Sequence, residues 1–531
     1  MELFSRDYET LIRPNGSILR LADDVPVNVA FKVQKGGESV ISRDYQVTIP
    51  GAGKQDINPK PRIIPELLSW EGHAGRYTLP ASLTIDSGMP FSRALVDELR
   101  DMPGKYRAQL AKNNAHIRFR LLKNSSQDKE AYALTIHPTQ GILITAADEK
   151  GLYWGTRTLL QMISQYGRQL PCGRAVDIPR YALRGFMLDV GRLPIPISYL
   201  KDVVRIMSWY KMNDLQIHLN DNYIFHEEYV DAGEDPFKKS YSAFRLESSV
   251  KGKDGTPLTA QDLSYRKREF ANFIRFANAR GVNIVPEFDT PGHALSFTRV
   301  RPDLIYQGPM GSKAKRRCEM MDAANPETLK FAAEVMDEYL KPAHGKKAVF
   351  DGCVVHVGAD EFFGDKEDYR RYADGILKYV KSRGYTPRIW GSLYAKPGKT
   401  PVISEGVQMN IWSVDWARAW QSVAQGYDII NTLDRNLYIV PEANYYRMDR
   451  NHKAVYENWK PNVMHKETLP AGHPQLLGAT FALWNDMIDR RQRLRRLRYP
   501  QHYHQQRTHP QPENVGQGAD PPFLCAASAA G

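Results

Sequence analysis

The sequence predicts an α/β chain built around a (β/α)8 TIM barrel, on three observations. Eight short apolar runs recur between residues 184 and 484, and stretches of helical period stand between most of them. Polar or aromatic residues fall at the same end of each run, or in the loop just after it, which is where barrel enzymes gather their chemistry. No glycine-rich phosphate turn follows the first run, "MLDVGRLP", and this argues against a doubly wound open sheet.

Residues 1–58 come first. "VNVAFKV" and "YQVTIPG" alternate apolar and polar residues between glycine and aspartate turns, predicting a β-rich segment like part of a sandwich. Residues 61–178 mix both periods. "YALTIHP" and "GILITAA" predict a hairpin, and "EKGLYWGTRTLLQMISQY" sets Leu152, Trp154, Leu159 and Met162 at helical spacing, so a small α/β domain is expected. The barrel is expected over 183–489. Its strands are "RGFMLDV", "DLQIHLN", "VNIVPEFD", "CVVHVGAD", "PRIWGS", "VQMNIWS", "YDIINTL" and "GATFALW"; "SYLKDVVRIMSWYKM", "YRKREFANFIRFANARG" and "DYRRYADGILKYVKSRG" are among its helices. Residues 490–531 break the pattern. "RRQRLRRLRYPQHYHQQR" has no apolar face, so the eighth helix is expected to be missing and the tail to be disordered or non-native.

Apolar residues make up 42% of the chain and charged residues 25%, an ordinary soluble globular balance. Four scattered cysteines without a C-x-x-C pair suggest neither a disulfide framework nor a zinc cluster. No stretch is long enough to span a bilayer, and the first residues show neither the basic start nor the apolar run of a signal peptide. The net charge of +12 hints at nucleic acid, but its distribution does not. Seven arginines against Glu513 and Asp520 put +5 of it in the tail, and no nucleic-acid partner is expected.

The strand ends carry Asp189 and Arg192, then His218, Asn220 and Asp221, then Asp289 and His293. His356, Asp360 and Glu361 follow, then Trp390, Trp412, Tyr438, Trp484 and Asp486. Taken singly, each has a plain reading: a tryptophan in the core, a satisfied histidine, a solvated acidic turn. Together they describe a site. Its histidines and acids could bind a metal, but no His-x-His follows the first strand and the spacing is loose, so no metal and no cofactor are expected. A non-catalytic carbohydrate-binding barrel is the other alternative.

"HVGADE", residues 356–361, resembles the His-x-Gly-x-Asp-Glu motif of family 20 glycoside hydrolases, the β-N-acetylhexosaminidase group. "RGFMLDVGR", "YKMNDLQIHLND", "VPEFDTPGHA" and "ALWND" are similar to that family's segments in the same order, over about residues 60–489. The resemblance implies a retaining glycosidase whose substrate supplies the nucleophile through its 2-acetamido oxygen, acting on an oligosaccharide or glycan. It implies that Glu361 is general acid and then base, its pKa raised by apolar surroundings such as Phe362, and that Asp360 stays ionised to orient the acetamido N–H. Tyr438 would hold the acetamido oxygen, and Trp390, Trp412 and Trp484 would wall the sugar. Arg192 would grip hydroxyls; Asp289, His293 and His356 would orient the carboxylates; Asn220, Asp221 and Asp486 complete the expected substrate-binding set. Bacterial members often work outside the cytoplasm, which is the compartment implied.

Three departures bear on specificity. Tyr438-Ile439-Val440 replaces the usual Tyr-Leu-Asp, whose aspartate holds the sugar's 4-hydroxyl. "HLNDN" lacks the Asp-Asp and Gly-Trp-Arg that commonly follow, and Asp486 stands where glutamate is common. Fewer grips on the far hydroxyls resemble the lacto-N-biosidase branch, which releases a disaccharide, as much as a plain exo-hexosaminidase.

Overall fold

Strand β1 (Leu183–Asp189) is buried at every residue, as a strand between a barrel interior and an outer helix layer must be. Seven more parallel strands follow in the computed structural model: β2 (Asp214–His218), β3 (Asn283–Thr290), β4 (Val354–Gly358), β5 (Thr386–Trp390), β6 (Gln408–Ile411), β7 (Asp428–Asn431) and β8 (Leu476–Leu483). Each pairs with the next, and β8 returns to β1 in register Leu183↔Gly478, closing the barrel. All eight expected runs are therefore strands. The description covers residues 1–487 except 14, 55, 56, 105, 123–128, 344 and 447–451; the expectations for the eighth helix and the basic tail lie outside the described residues.

The outer helices follow the apolar period of the sequence. Helix α1 (Ile197–Trp209) follows β1, and α2 (Lys267–Asn278) buries Phe270, Phe273, Ile274 and Ala277 on one face. Helix α3 (Pro326–Leu340) starts with proline after an Asn325 cap. Helix α4 (Lys366–Ser382) is capped by Asp365, whose carboxylate accepts from the Glu367 and Asp368 amides at 2.8 and 3.0 Å. Between β7 and β8, the two-residue strand Tyr438–Ile439 lies parallel to the end of β8, with Tyr438 opposite Ala482.

Two sheets precede the barrel. Glu2–Arg6, Val25–Lys35, Glu38–Ile41 and Tyr45–Ile49 form a four-stranded antiparallel sheet, of which the first and third strands lack a clear sequence signal. A seven-stranded sheet contains the expected hairpin, Tyr132–His137 with Gly141–Ala146. The long helix Glu149–Tyr166 covers it and is capped by Asp148, which accepts from the Gly151 amide at 2.7 Å. Gly151–Ile163 are all buried because the helix is also covered by the barrel: Tyr153 Oη lies 2.6 Å from Ser208 Oγ of α1. Glu130 fastens the same junction, accepting from Trp154 Nε1 at 3.0 Å and Asn213 Nδ2 at 3.1 Å. Among the described residues no helix is long and apolar enough to cross a membrane.

The main barrel core packs rings such as Phe244, Phe270, Phe288, Tyr339 and Phe350 between strands and helices. A second apolar cluster, Met187, Trp390, Trp412, Tyr438, Val440, Ala443, Ala482 and Trp484, sits apart from it. Its aromatics come from the C-terminal ends of β5, β6 and β8 and from the Tyr438 strand, so they crown the barrel.

Candidate active site at the C-terminal ends of the barrel strands

The crown is a box of rings. Trp484 lies 5.8 Å from Trp390, 5.7 Å from Tyr438 and 4.9 Å from the His218 ring, while Trp412 leans on Trp416 at 5.5 Å. Two indole N–H groups point into the protein: Trp390 donates to Glu287 at 2.6 Å and Trp412 to the Gly391 carbonyl at 3.0 Å. With those N–H groups tied down, ring faces are fixed, which suits a pocket for an apolar group.

The turn after β4 carries Asp360 and Glu361 in an unusual backbone. Gly358 and Ala359 both have φ +68°, and Glu361 has φ +33°. Glycine is required at 358 because a Cβ would stand 2.0 Å from Asp289 Oδ1. The turn is held from several sides. His356 Nδ1 accepts the Gly358 amide at 3.0 Å, and Asp289 Oδ1 accepts the Ala359 amide at 3.1 Å. The Ala359 carbonyl accepts the Tyr369 hydroxyl at 2.7 Å and the Ser392 hydroxyl at 3.2 Å. Burial drives His356 down to about 3, so it is a neutral brace.

The two carboxyls face different surroundings. Asp360 is buried, and burial together with the charge of Glu361 raises its pKa to about 6 against the pull of His293. Beside it, burial and the charge of Asp360 push Asp289 well above the carboxylate range, so the proton of this pair rests on Asp289 and Asp360 is the anion at neutral pH. Glu361 is 30% exposed at its side chain, and its Oε2 lies 3.3 Å from both His293 Nε2 and Arg316 Nη1. Burial would raise this carboxyl, but the hydrogen bond to His293 and the charges of Arg316 and His293 bring it down to about 2. This corrects the expectation of a raised Glu361 in apolar surroundings. Phe362 is turned into the core against Tyr306 and Tyr369, and cations take the place it was expected to fill.

A charge relay runs inward from Glu361. His293 Nδ1 lies 3.1 Å from Asp221 Oδ1, and Asp221 Oδ2 lies 2.6 Å from His218 Nε2 and 2.8 Å from Arg192 Nη2. His218 Nδ1 is 3.0 Å from Glu287. Burial opposes charge on both histidines, but the carboxylates prevail and raise both pKa values well above the ordinary imidazole range. His218, Glu287 and Asp289, and likewise Asp289, His293 and Asp360, are close enough to suggest metal ligands. However, both ring nitrogens of each histidine lie within 3.3 Å of a carboxylate oxygen, an arrangement suited to a protonated imidazole.

All the expected site residues gather at this end, but not in the expected manner. Asn220 is a correction: it is fully buried, its Nδ2 donates to the Asp289 carbonyl at 2.8 Å and its Oδ1 accepts the Asp289 amide at 2.9 Å. It anchors the Asp289 backbone and has no group left for a sugar. Asp221, Asp289 and His356 are likewise buried, with side chains facing protein partners. Each guanidinium nitrogen of Arg192 has a partner: Nε the Asn222 carbonyl at 2.8 Å, Nη1 Asp189 at 3.1 Å and Asp486 at 3.3 Å, and Nη2 Asp221. Asp486 also accepts the Tyr445 hydroxyl at 3.1 Å. Glu287, Arg316, Glu319, Tyr445 and Tyr446 belong to the site and were not anticipated. Arg316 and Glu319 lie in "GSKAKRRCE", which reads as a solvated charge run.

Comparison with known proteins agrees with this architecture. The family profile "Glycosyl hydrolase family 20, catalytic domain" matches residues 181–371 and 364–504, and "Glycosyl hydrolase family 20, domain 2" matches 60–178. A Beta-hexosaminidase of Akkermansia muciniphila is 33% identical over 245 residues, 44% of this chain and 45% of that protein. A Lacto-N-biosidase of Bifidobacterium bifidum is 23% identical over 460 residues, 80% of this chain and 37% of that one. The chain thus spans less than half the length of these two curated relatives. The solved GH20 exo β-N-acetylglucosaminidase of Vibrio harveyi shares the fold with TM-score 0.63 at 19% identity, covering 97% of this chain and 82% of that one. The Streptomyces plicatus N-acetyl-β-hexosaminidase does so with TM-score 0.64 at 21% identity, covering 89% and 91%. With the family's catalytic and second domains both matched over most of its length, the chain belongs to glycoside hydrolase family 20.

Proposed function

We propose that this chain hydrolyses β-linked N-acetylhexosaminides of oligosaccharides or glycoconjugates, with retention, using the substrate's own acetamido oxygen as nucleophile. One observation carries the reading: two adjacent carboxyls, one buried near Tyr438 of the aromatic box and the other half-open against a histidine that bears a proton. The acetamido oxygen attacks C1, the bond from C1 to the leaving oxygen breaks, and Glu361 delivers a proton to that oxygen. Asp360 faces the acetamido N–H and stabilises the positive charge of the oxazolinium ring. Trp390, Trp412 and Trp484 enclose the acetamido methyl, and Tyr438 donates to the acetamido oxygen. Water then adds to C1, giving its proton to Glu361 as the C1–oxygen bond of the ring breaks.

His293 is the nearest proton store for a carboxyl of such low pKa. A proton passing from His293 Nε2 to Glu361 Oε2, across 3.3 Å, gives neutral histidine and a carboxylic acid. Asp221 and the groups behind it hold the histidine in place for the return. Proton magnetic resonance of the first-formed product tests the route: the β anomer is expected from an N-acetylglucosaminide, and no turnover from the matching glucoside. Inverted product, or equal cleavage of both, refutes it.

The non-reducing side of the sugar supports a second, finer reading: release of a disaccharide such as lacto-N-biose. Val440 is fully buried and offers no acceptor where an aspartate would hold a 4-hydroxyl. A substituent on that side of the sugar therefore displaces no hydrogen bond. The p-nitrophenyl glycosides of lacto-N-biose and N-acetylglucosamine distinguish the two; fast release from the monosaccharide alone removes the disaccharide reading.

A further inference from the structure

Glu361 is approached by two cations with separate supports. His293 reaches it with Asp221 behind, and Arg316 reaches it from the 3₁₀ turn Gly311–Glu319. Three residues apart on a 3₁₀ turn, Arg316 and Glu319 share one face, and the Arg316 Nε pairs with Glu319. Glu319 is fully buried and held by the Asn222 side-chain amide and by His226 at 3.4 Å. The guanidinium also lies 5.2 Å from the Phe363 ring, two residues beyond Glu361. Phe363 in turn meets the Trp416 ring edge-on at 6.4 Å, while the direct contact of the guanidinium with the acid–base pair is the Glu361 carboxylate.

The two cations are not equivalent. An imidazolium can hand over its proton, whereas a guanidinium keeps its own at any pH an enzyme meets. We propose that Arg316 is a positioning residue whose permanent charge biases Glu361 toward its carboxylate form, favouring water addition to the oxazolinium over protonation of the leaving group. This rests on the proposed function above. In the first half-reaction the proton leaves Glu361 for the departing oxygen, and Arg316 opposes the protonated state that must form beforehand. In the second, Glu361 takes a proton from water while the new C1–oxygen bond forms, and Arg316 keeps the base ready. The other groups around Glu361 are Asp360, Glu319 and Tyr446, whose hydroxyl is itself engaged by Asp434 at 2.9 Å.

The test compares Arg316→Gln and Arg316→Lys with the wild type on two substrates. A nitrophenyl glycoside leaves without a proton, so its kcat reports water addition; an alkyl glycoside needs the proton, so its kcat/KM reports the first half. In the oxazolinium intermediate the adjacent cation keeps Asp360 ionised, so the acidic limb of the nitrophenyl kcat belongs to Glu361. In Arg316→Gln that limb moves up by about one pH unit or more. The nitrophenyl kcat falls ~10-fold while the alkyl kcat/KM is unchanged or rises. Arg316→Lys restores most of the wild-type profile. Equal losses on both substrates with an unmoved limb would overturn the proposal and leave Arg316 a packing residue.

A readout without turnover separates this from the parent reading. Infrared difference spectra against Glu361→Gln isolate the Glu361 carboxyl band. The midpoint of that band, at about 2 in wild type, moves up by about one pH unit or more in Arg316→Gln. The same band position and midpoint in both proteins would overturn the role of Arg316 even in an active enzyme. A wild type that cleaves neither substrate would instead sink the proposed function.

Discussion

The decisive perturbation is the pair Glu361→Gln and Asp360→Asn, because the two pKa values alone point the other way. Asp360 at about 6 looks like the acid and Glu361 at about 2 looks like the spectator. Position argues otherwise. The Asp360 side chain is 10% exposed and sits near Asp289 and Tyr438, whereas the Glu361 side chain is 30% open toward the solvent from which a leaving group must be reached. Glutamine at 361 has nearly the same shape and keeps an oxygen for His293 and Arg316, so the main loss is the proton. General acid catalysis is worth about 10²–10⁴ in rate, or ~2.7–5.4 kcal/mol of barrier, and the alkyl glycoside kcat/KM is expected to fall by that factor. A dinitrophenyl glycoside, whose leaving group needs no proton, is expected to lose less than about tenfold in the same parameter. Asp360→Asn removes the charge facing the oxazolinium ring and is expected to cost about 10²–10³ on both substrates. Steady-state assays across a leaving-group series check this. If Asp360→Asn shows the leaving-group dependence and Glu361→Gln does not, the roles are exchanged and the proton relay through His293 is wrong.

Further outcomes follow from neighbouring groups. The acidic limb of kcat/KM is expected near pH 6, because Asp360 acts as an anion and its raised pKa leaves it protonated below that value; Asp360→Asn abolishes this limb. Asp221→Asn removes the carboxylate that stabilises the His293 imidazolium, so its raised pKa falls and the basic limb of kcat/KM moves to lower pH; an unmoved limb would place the proton elsewhere. Gly358→Ala forces a Cβ into Asp289 at a left-handed φ, and chemical denaturation is expected to register a loss of about 2–4 kcal/mol together with lost activity.

The barrel was legible because its strands are buried on both faces and so read as unbroken apolar runs, as in "RGFMLDV" and "GATFALW". The strands Glu2–Arg6 and Glu38–Ile41 were not, since exposed sheet margins carry no such pattern. Asp360, Glu361 and the tryptophans could be placed at the crown because they end strands or follow them closely. Their charge partners could not. Arg316 and Glu319 sit over forty residues before Glu361 in a basic run, and only the fold turns one side of that run inward. The same blindness misassigned Asn220, since sequence does not reveal that a polar side chain is consumed by backbone groups sixty-nine residues away. It also reversed the expected Glu361 shift, which depends on whether Phe362 or a cation faces the carboxyl.

Tyr438 reaches the crown on its own short strand alongside β8, and the amide of Trp484 donates to the Ile439 carbonyl at 2.9 Å. Tyrosine and tryptophan are thereby bolted to the closing stave of the barrel rather than to the loop that runs on from Val440. That loop returns to the crown at Tyr446, whose ring meets Tyr438 at 5.4 Å, so a change in it reaches the box through that contact. The closing stave sets where the two rings stand, and the loop sets how firmly they are backed.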